Sequence, residues 1–144
     1  GVAMPTIMAA YLGIAEAAAA EALTHARSRA AQPHVQTQAG ELTNRLIQAR
    51  DLVAAMVASA DDLHFTPGLE HTATVLARKT MAADSLIAVV RQAMEMMGGA
   101  GFATGGIERL YRDVHGSLYH PLPADRQRLF TGRVALGTDP VSGR

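Results

Sequence analysis

Between Thr66-Pro67-Gly68 and Gly98 the chain repeats apolar residues at helical spacing for about eight turns. Leu69, Thr72, Leu76, Thr80, Leu86, Val90, Ala93 and Met97 mark one face of this stretch. A threonine N-cap and a first-turn proline open it, and Gly98 stands where a C-terminal glycine belongs. The spacing predicts one long helix from about Pro67 to Met97, which needs equally long partners to cover it. The sequence supplies two. Residues from about Pro5 to Ala31 place Ile7, Met8, Tyr11, Leu12, Ala15, Ala18, Ala19, Ala22 and Leu23 on one broad face. Gln32-Pro33 breaks that helix, because proline disfavours helix at the residue before it. A second run from about Val35 to Ala60 carries Leu42, Leu46, Ala49, Leu52, Val53 and Met56. Two shorter helices follow, Ile107 to Tyr119 and Ala124 to Leu136, separated by the break at Pro121-Leu122-Pro123. The expected fold is all-α: an antiparallel up-and-down four-helix bundle with a short extra C-terminal helix. Residues 1–137 form the bundle and residues 138–144 a flexible tail.

The composition agrees. Aromatic residues make up 4% of the 144 and alanine is abundant, which favours close-packed helices over sheet. One domain of this length buries roughly 68–70% of its unfolded surface, enough for a core. The formal net charge is zero, so the basic footprint of a nucleic-acid binder is missing. With no cysteine, neither a disulfide framework nor a zinc–thiolate site can form. No apolar run is expected to reach the roughly 20 residues of a membrane span, no signal-peptide pattern is apparent, and a cytoplasmic location is the expectation.

Candidate chemistry is sparse. Asp61-x-x-His64 is the nearest approach to a bundle metal motif, but it occurs once, at a helix end, so no metal site is expected. His25, His34, His64 and His71 read as surface or capping residues. Ser85 and Ser117 lack a nucleophile elbow and read as solvated or back-bonded helix serines. Met94, Met96 and Met97 read as core filler. Glu108, Arg109, Arg112 and Asp113 admit two readings. One is a solvated face with a Glu108–Arg112 pair at i, i+4; the other is a helix anchored by buried ion pairs beside a ligand-contacting loop. That loop holds five glycines within nine residues, Gly98 to Gly106, serving either as a turn or as bare backbone that something large can approach.

Read together, Glu95-Met96-Met97-Gly98-Gly99-Ala100-Gly101-Phe102 and Glu108-Arg109-Leu110-Tyr111-Arg112-Asp113 resemble the C-terminal helical domain of the acyl-CoA dehydrogenase family. Its pattern there is Gln-x-x-Gly-Gly-x-Gly-aromatic, then Glu-Arg-x-x-Arg-Asp. Leu12-Gly13, Arg29, Gln36 and Ala49-Arg50 match in order and approximate spacing. The resemblance implies FAD bound between this bundle, a β-domain and a neighbouring subunit. Arg29 would contact the pyrophosphate, with Gln36, Glu95, Gly98 and Gly99 near it. It also implies a homo-oligomer, dimer or tetramer, an acyl-CoA or other small-molecule substrate, and a longer parent carrying the domains that precede this one.

The sequence departs from the family at telling positions. The glutamine ahead of the glycine pair is Glu95, a poorer neighbour for a phosphate. The distance that normally leads from Arg-Asp to the catalytic glutamate lands on Pro121, and the alternative base position on the first helix lies near Ala3. Neither can take a proton. His120-Pro121 instead resembles the flavin-dependent monooxygenase-like branch of the fold, where a histidine lies near flavin and substrate. Three functional expectations follow. The chain is the C-terminal domain of an acyl-CoA dehydrogenase-like flavoprotein, or of a monooxygenase of that fold using FMN or reduced flavin with His120 as catalytic residue, or it is a non-catalytic oligomerisation module.

Overall fold

The computed structural model describes residues 3–103 and 106–142. It is an antiparallel helical bundle without strands among those residues. Three long helices carry it: α1 (Ala3–Ala26), α2 (Pro33–Ala60) and α3 (Leu69–Met97). A five-residue helix, α4 (Gly99–Ala103), lies within the glycine-rich loop. The fourth bundle element is α5 (Ile107–Val114), which tightens into a 3-10 segment at His115–Tyr119. The extra C-terminal helix is α6 (Ala124–Ala135).

The breaks fall where local chemistry puts them. Gln32 is extended (φ −82°, ψ 124°) before Pro33, which occupies the first turn of α2, where its missing N–H costs no helical bond. α1 ends as α-helix at Ala26, short of Ala31, and continues as a 3-10 turn, Arg27–Arg29. α3 starts at Leu69 rather than Pro67, with Gly68 before it and no side-chain cap from Thr66. Gly98 ends α3 at φ 58°, ψ −140°, a conformation that requires glycine.

The core corrects the idea of α3 as a one-sided helix. It packs against α1, α2, α5 and α6 and is buried nearly all round from Lys79 onwards, whereas the expected face residues Leu69 and Thr72 are exposed. A helix enclosed on several sides has no single apolar stripe to read. Met94, Met96 and Met97 fill this core as expected. Against expectation, Ser85 and Ser117 are buried, and the Ser117 hydroxyl has no hydrogen-bond partner among the described residues.

α1 also departs from expectation. The helical stretch Ala3–Arg29 is long and apolar enough, by length and composition, to cross a membrane. Its alanines raise its hydropathy, and here they serve close packing: Ala15, Ala18, Ala19 and Ala22 are buried with Met8 in the bundle core. Arg50 on α2 ties back to α1 through a 2.7 Å bond to Glu16. Beyond α6 the chain turns back on itself. Asp139 accepts the N–H groups of Val141 and Ser142, and Arg133 donates to the Ser142 carbonyl at 2.9 Å.

Candidate functional site

The first cluster forms where α1, α3 and the segment after α5 meet. His120 follows the 3-10 segment and is half-buried. A 2.9 Å hydrogen bond joins its Nε2 to the hydroxyl of Tyr11, and the two rings meet edge to face. Nε2 can accept from the tyrosine when the imidazole is neutral, or donate to it when protonated, so the contact survives either state. Gly116 makes this approach possible: a Cβ there would stand 2.6 Å from the Tyr11 oxygen.

Beneath the loop lies Lys79 of α3, 1% exposed. Its Nζ donates to the main-chain carbonyls of His120 (3.0 Å) and Leu122 (3.4 Å). Burial pushes its pKa below the ordinary 10.5, with Asp84 pulling the other way. Helical periodicity reads position 79 as one more turn of a long helix, so sequence inspection missed it. Its one signal is a cation near the middle of a mostly apolar stretch. Above the loop, His120, Tyr11 and Asp113 share an open groove of about 500 Å³ with Ile7, Ala10 and Ile14. The groove has an apolar floor, one carboxylate and one imidazole.

The second cluster lies at the C-terminal end of α3. Arg29 is exposed and donates to the Met96 carbonyl at 3.4 Å, beside Glu95, Gly98 and Gly99. Gln36 donates its side-chain amide to the Ala30 carbonyl at 3.0 Å. The five residues expected near a cofactor are thus gathered at one end of the bundle, away from His120. Glu95 is exposed and pairs with Arg91 at 3.8 Å. Within the glycine loop, Gly101 is fixed by packing, since a Cβ there would lie 2.8 Å from the Met94 sulfur. Nothing lies within 4 Å of a Cβ placed at Gly99. Thr104 and Gly105 fall outside the described residues.

The charged string on α5 is closer to the solvated face than to the buried anchor, with a different pair from the one expected. Arg112 pairs with the adjacent Asp113 at 2.8 Å and both are accessible, so Glu108–Arg112 is replaced by a neighbour pair rather than a buried anchor. One oxygen of Glu108 is buried with no hydrogen-bond partner among the described residues. Among those residues no group of three His, Asp or Glu side chains is placed to hold a metal ion.

Comparison with known proteins decides the relationship. The profile of the acyl-CoA dehydrogenase C-terminal domain matches residues 3–117. The chain belongs to this family. Among its relatives, the amino sugar nitrososynthase DnmZ of Streptomyces peucetius is 33% identical over 137 residues, covering 88% of this chain and 34% of its own length. YdbM of Bacillus subtilis (strain 168), named as a candidate acyl-CoA dehydrogenase, is 30% identical over 125 residues, covering 80% of this chain and 32% of its own. The chain therefore spans about one third of the length of the curated relatives it matches. Pro121, the position to which the count from Arg112-Asp113 leads, is a solvent-exposed loop residue, and Ala3 opens α1, also exposed. Neither side chain carries a titratable group.

Proposed function

We propose that this chain is the helical C-terminal portion of a flavin-dependent oxidoreductase of the acyl-CoA dehydrogenase family, and that His120 takes the acid–base role left vacant at Pro121. The observation that carries the reading is the 2.9 Å bond between Tyr11 and His120 at the edge of an open groove. An imidazole there can accept a proton from a substrate and return it, with the tyrosine holding the ring in place. Asp113 on the same groove is paired with Arg112 through Oδ1, which leaves Oδ2 to accept from a substrate hydrogen-bond donor.

The residues at the other end fit a flavin dinucleotide in part. Arg29 offers an exposed planar guanidinium suited to a pyrophosphate, and Gly99 presents backbone that its own surroundings leave open. Gln36 retains its amide oxygen as an acceptor, while the Glu95 carboxylate is a poor phosphate neighbour. A bound flavin supplies the redox chemistry, and this chain supplies the proton handling and one wall of the substrate groove. FAD is the form that Arg29 suits. FMN, which carries a single phosphate, would leave it without a pyrophosphate to contact. Assembly into a dimer or tetramer belongs to the same reading.

Within the family, the monooxygenase reading is preferred. The count from Arg112-Asp113 puts a proline where the dehydrogenase base is expected, and one relative is named an amino sugar nitrososynthase, which puts amine-bearing substrates first in line. The match to YdbM favours the second reading, dehydrogenation of an acyl-CoA. The two separate in the full polypeptide purified with its flavin. Anaerobic addition of an acyl-CoA panel should leave the flavin absorbance unchanged, whereas bleaching would establish the dehydrogenase. With reduced flavin and oxygen, His120→Ala should lower oxidation of an amine substrate by roughly 10²- to 10⁴-fold while flavin stays bound. An unchanged rate would remove His120 from the chemistry.

A further inference from the structure

Among the described residues Lys79 is the one fully buried charged side chain, and it forms no ion pair with a carboxylate. A buried ammonium with no carboxylate in direct contact is costly, and a methionine would fill the same space in an apolar core. What the lysine adds is its donors. Two of them reach the carbonyls of His120 and Leu122, on either side of Pro121.

The loop needs such a partner. Pro121 and Pro123 have no N–H, so between His120 and Ala124 only Leu122 offers a main-chain donor. The backbone is extended at both ends, φ −71°, ψ 142° at His120 and φ −56°, ψ 153° at Pro123. With so few donors of its own, the segment takes its position from whatever grips it. Here the grip comes from the middle of the most enclosed helix in the bundle.

We infer that Lys79 is a positioning residue for His120: its ammonium holds the main chain on both sides of Pro121 and thereby fixes the imidazole against Tyr11 at the mouth of the groove. The catalytic meaning of this clamp rests on the proposed role of His120, but the clamp itself can be read without turnover. Lys79 lines no part of the groove, so it acts through the loop and not on substrate.

The test is the rate at which diethyl pyrocarbonate modifies each histidine, followed by mass spectrometry, in the full polypeptide with its flavin. The reagent attacks unprotonated imidazole nitrogen, and at His120 the Nε2 atom is engaged by Tyr11. Lys79→Met should speed modification of His120 roughly five-fold or more, the factor that losing one hydrogen bond carries. His71, which stacks on Phe65, and the exposed His25 and His34 should keep their rates. Tyr11→Phe should produce the same selective acceleration, and the double variant should add little beyond either single one. Where Lys79→Met fails to fold, Lys79→Gln gives the same contrast, since its shorter side chain cannot reach both carbonyls. An unchanged His120 rate in a folded variant overturns the clamp. So does acceleration at every histidine, which would mean general loosening. A failure of His120→Ala to affect oxidation would sink the proposed function while leaving these rates to decide on the clamp separately.

Discussion

Lys79 and Met96 both belong to α3, roughly 25 Å apart along its axis at 1.5 Å per residue, and each is bonded to a distant part of the chain. The two contacts differ in kind. At position 79 the helix donates: a buried cation reaches out and holds a proline-rich loop that cannot hold itself. Near Met96 the helix accepts: an exposed arginine from the turn after α1 lays one long bond on a carbonyl of the last turn. In the first region His120, the side chain proposed to act, is already oriented by the chain's own polar groups. In the second, Arg29, Glu95 and Gly99 remain accessible and are only loosely engaged by their neighbours. The difference separates a side chain held by the chain's own polar groups from a surface whose polar groups stay accessible.

That contrast predicts that damage at one end stays there. Arg29→Ala should weaken flavin binding by roughly ten-fold or more, the effect of one charge-assisted hydrogen bond, in a fluorescence titration of the full polypeptide. The His120 modification rate should not move. Equal flavin affinity in variant and wild type would break the comparison on the Arg29 side. A smaller effect is expected from Gly116→Ala. The added methyl group would stand 2.6 Å from the Tyr11 oxygen and must push the ring off His120, costing about 1 kcal/mol in a melting experiment. Here the His120 rate should rise and flavin affinity should hold. A structure of the variant with the Tyr11–His120 bond intact would show that the pocket yields elsewhere.

The smallest effect concerns pH. Burial keeps the folded-state pKa of Lys79 below 10.5, with Asp84 opposing. A lysine whose pKa falls on folding penalises the folded state at every pH below the folded value, because its burial is paid as a charged group there. The penalty fades as pH rises from the folded pKa towards 10.5. Wild type should therefore gain stability relative to Lys79→Met as pH climbs through that window, followed by thermal midpoints at matched ionic strength. A gap that stays constant from neutrality to 10.5 would show that the ammonium is not penalised by its burial.

Much of the site was visible residue by residue and invisible as an arrangement. The resemblance drew attention to Arg29, Gln36, Glu95, Gly98, Gly99 and His120, and the structure gathers the first five at one end and sets His120 apart on the flank. Helical spacing places Tyr11 only on an apolar face. Its hydroxyl meets a ring 109 residues away, a contact that no local spacing encodes. Lys79 fitted the helical period, and the pairing of Arg112 with Asp113 rather than Glu108 depended on rotamers chosen in the folded chain.

By itself the sequence determined the all-α class, the three long helices, the breaks at Pro33, Gly98 and Pro121 to Pro123, and the family. Those follow from backbone chemistry acting over a few residues: a missing N–H, a conformation open only to glycine, a 3.6-residue period. Only the tertiary structure decided which side of α3 would be enclosed, that Lys79 would be buried under the His120 loop, and that Tyr11 would meet that histidine. These outcomes depend on how whole helices pack, where the need to satisfy every buried polar group selects partners far apart in the chain.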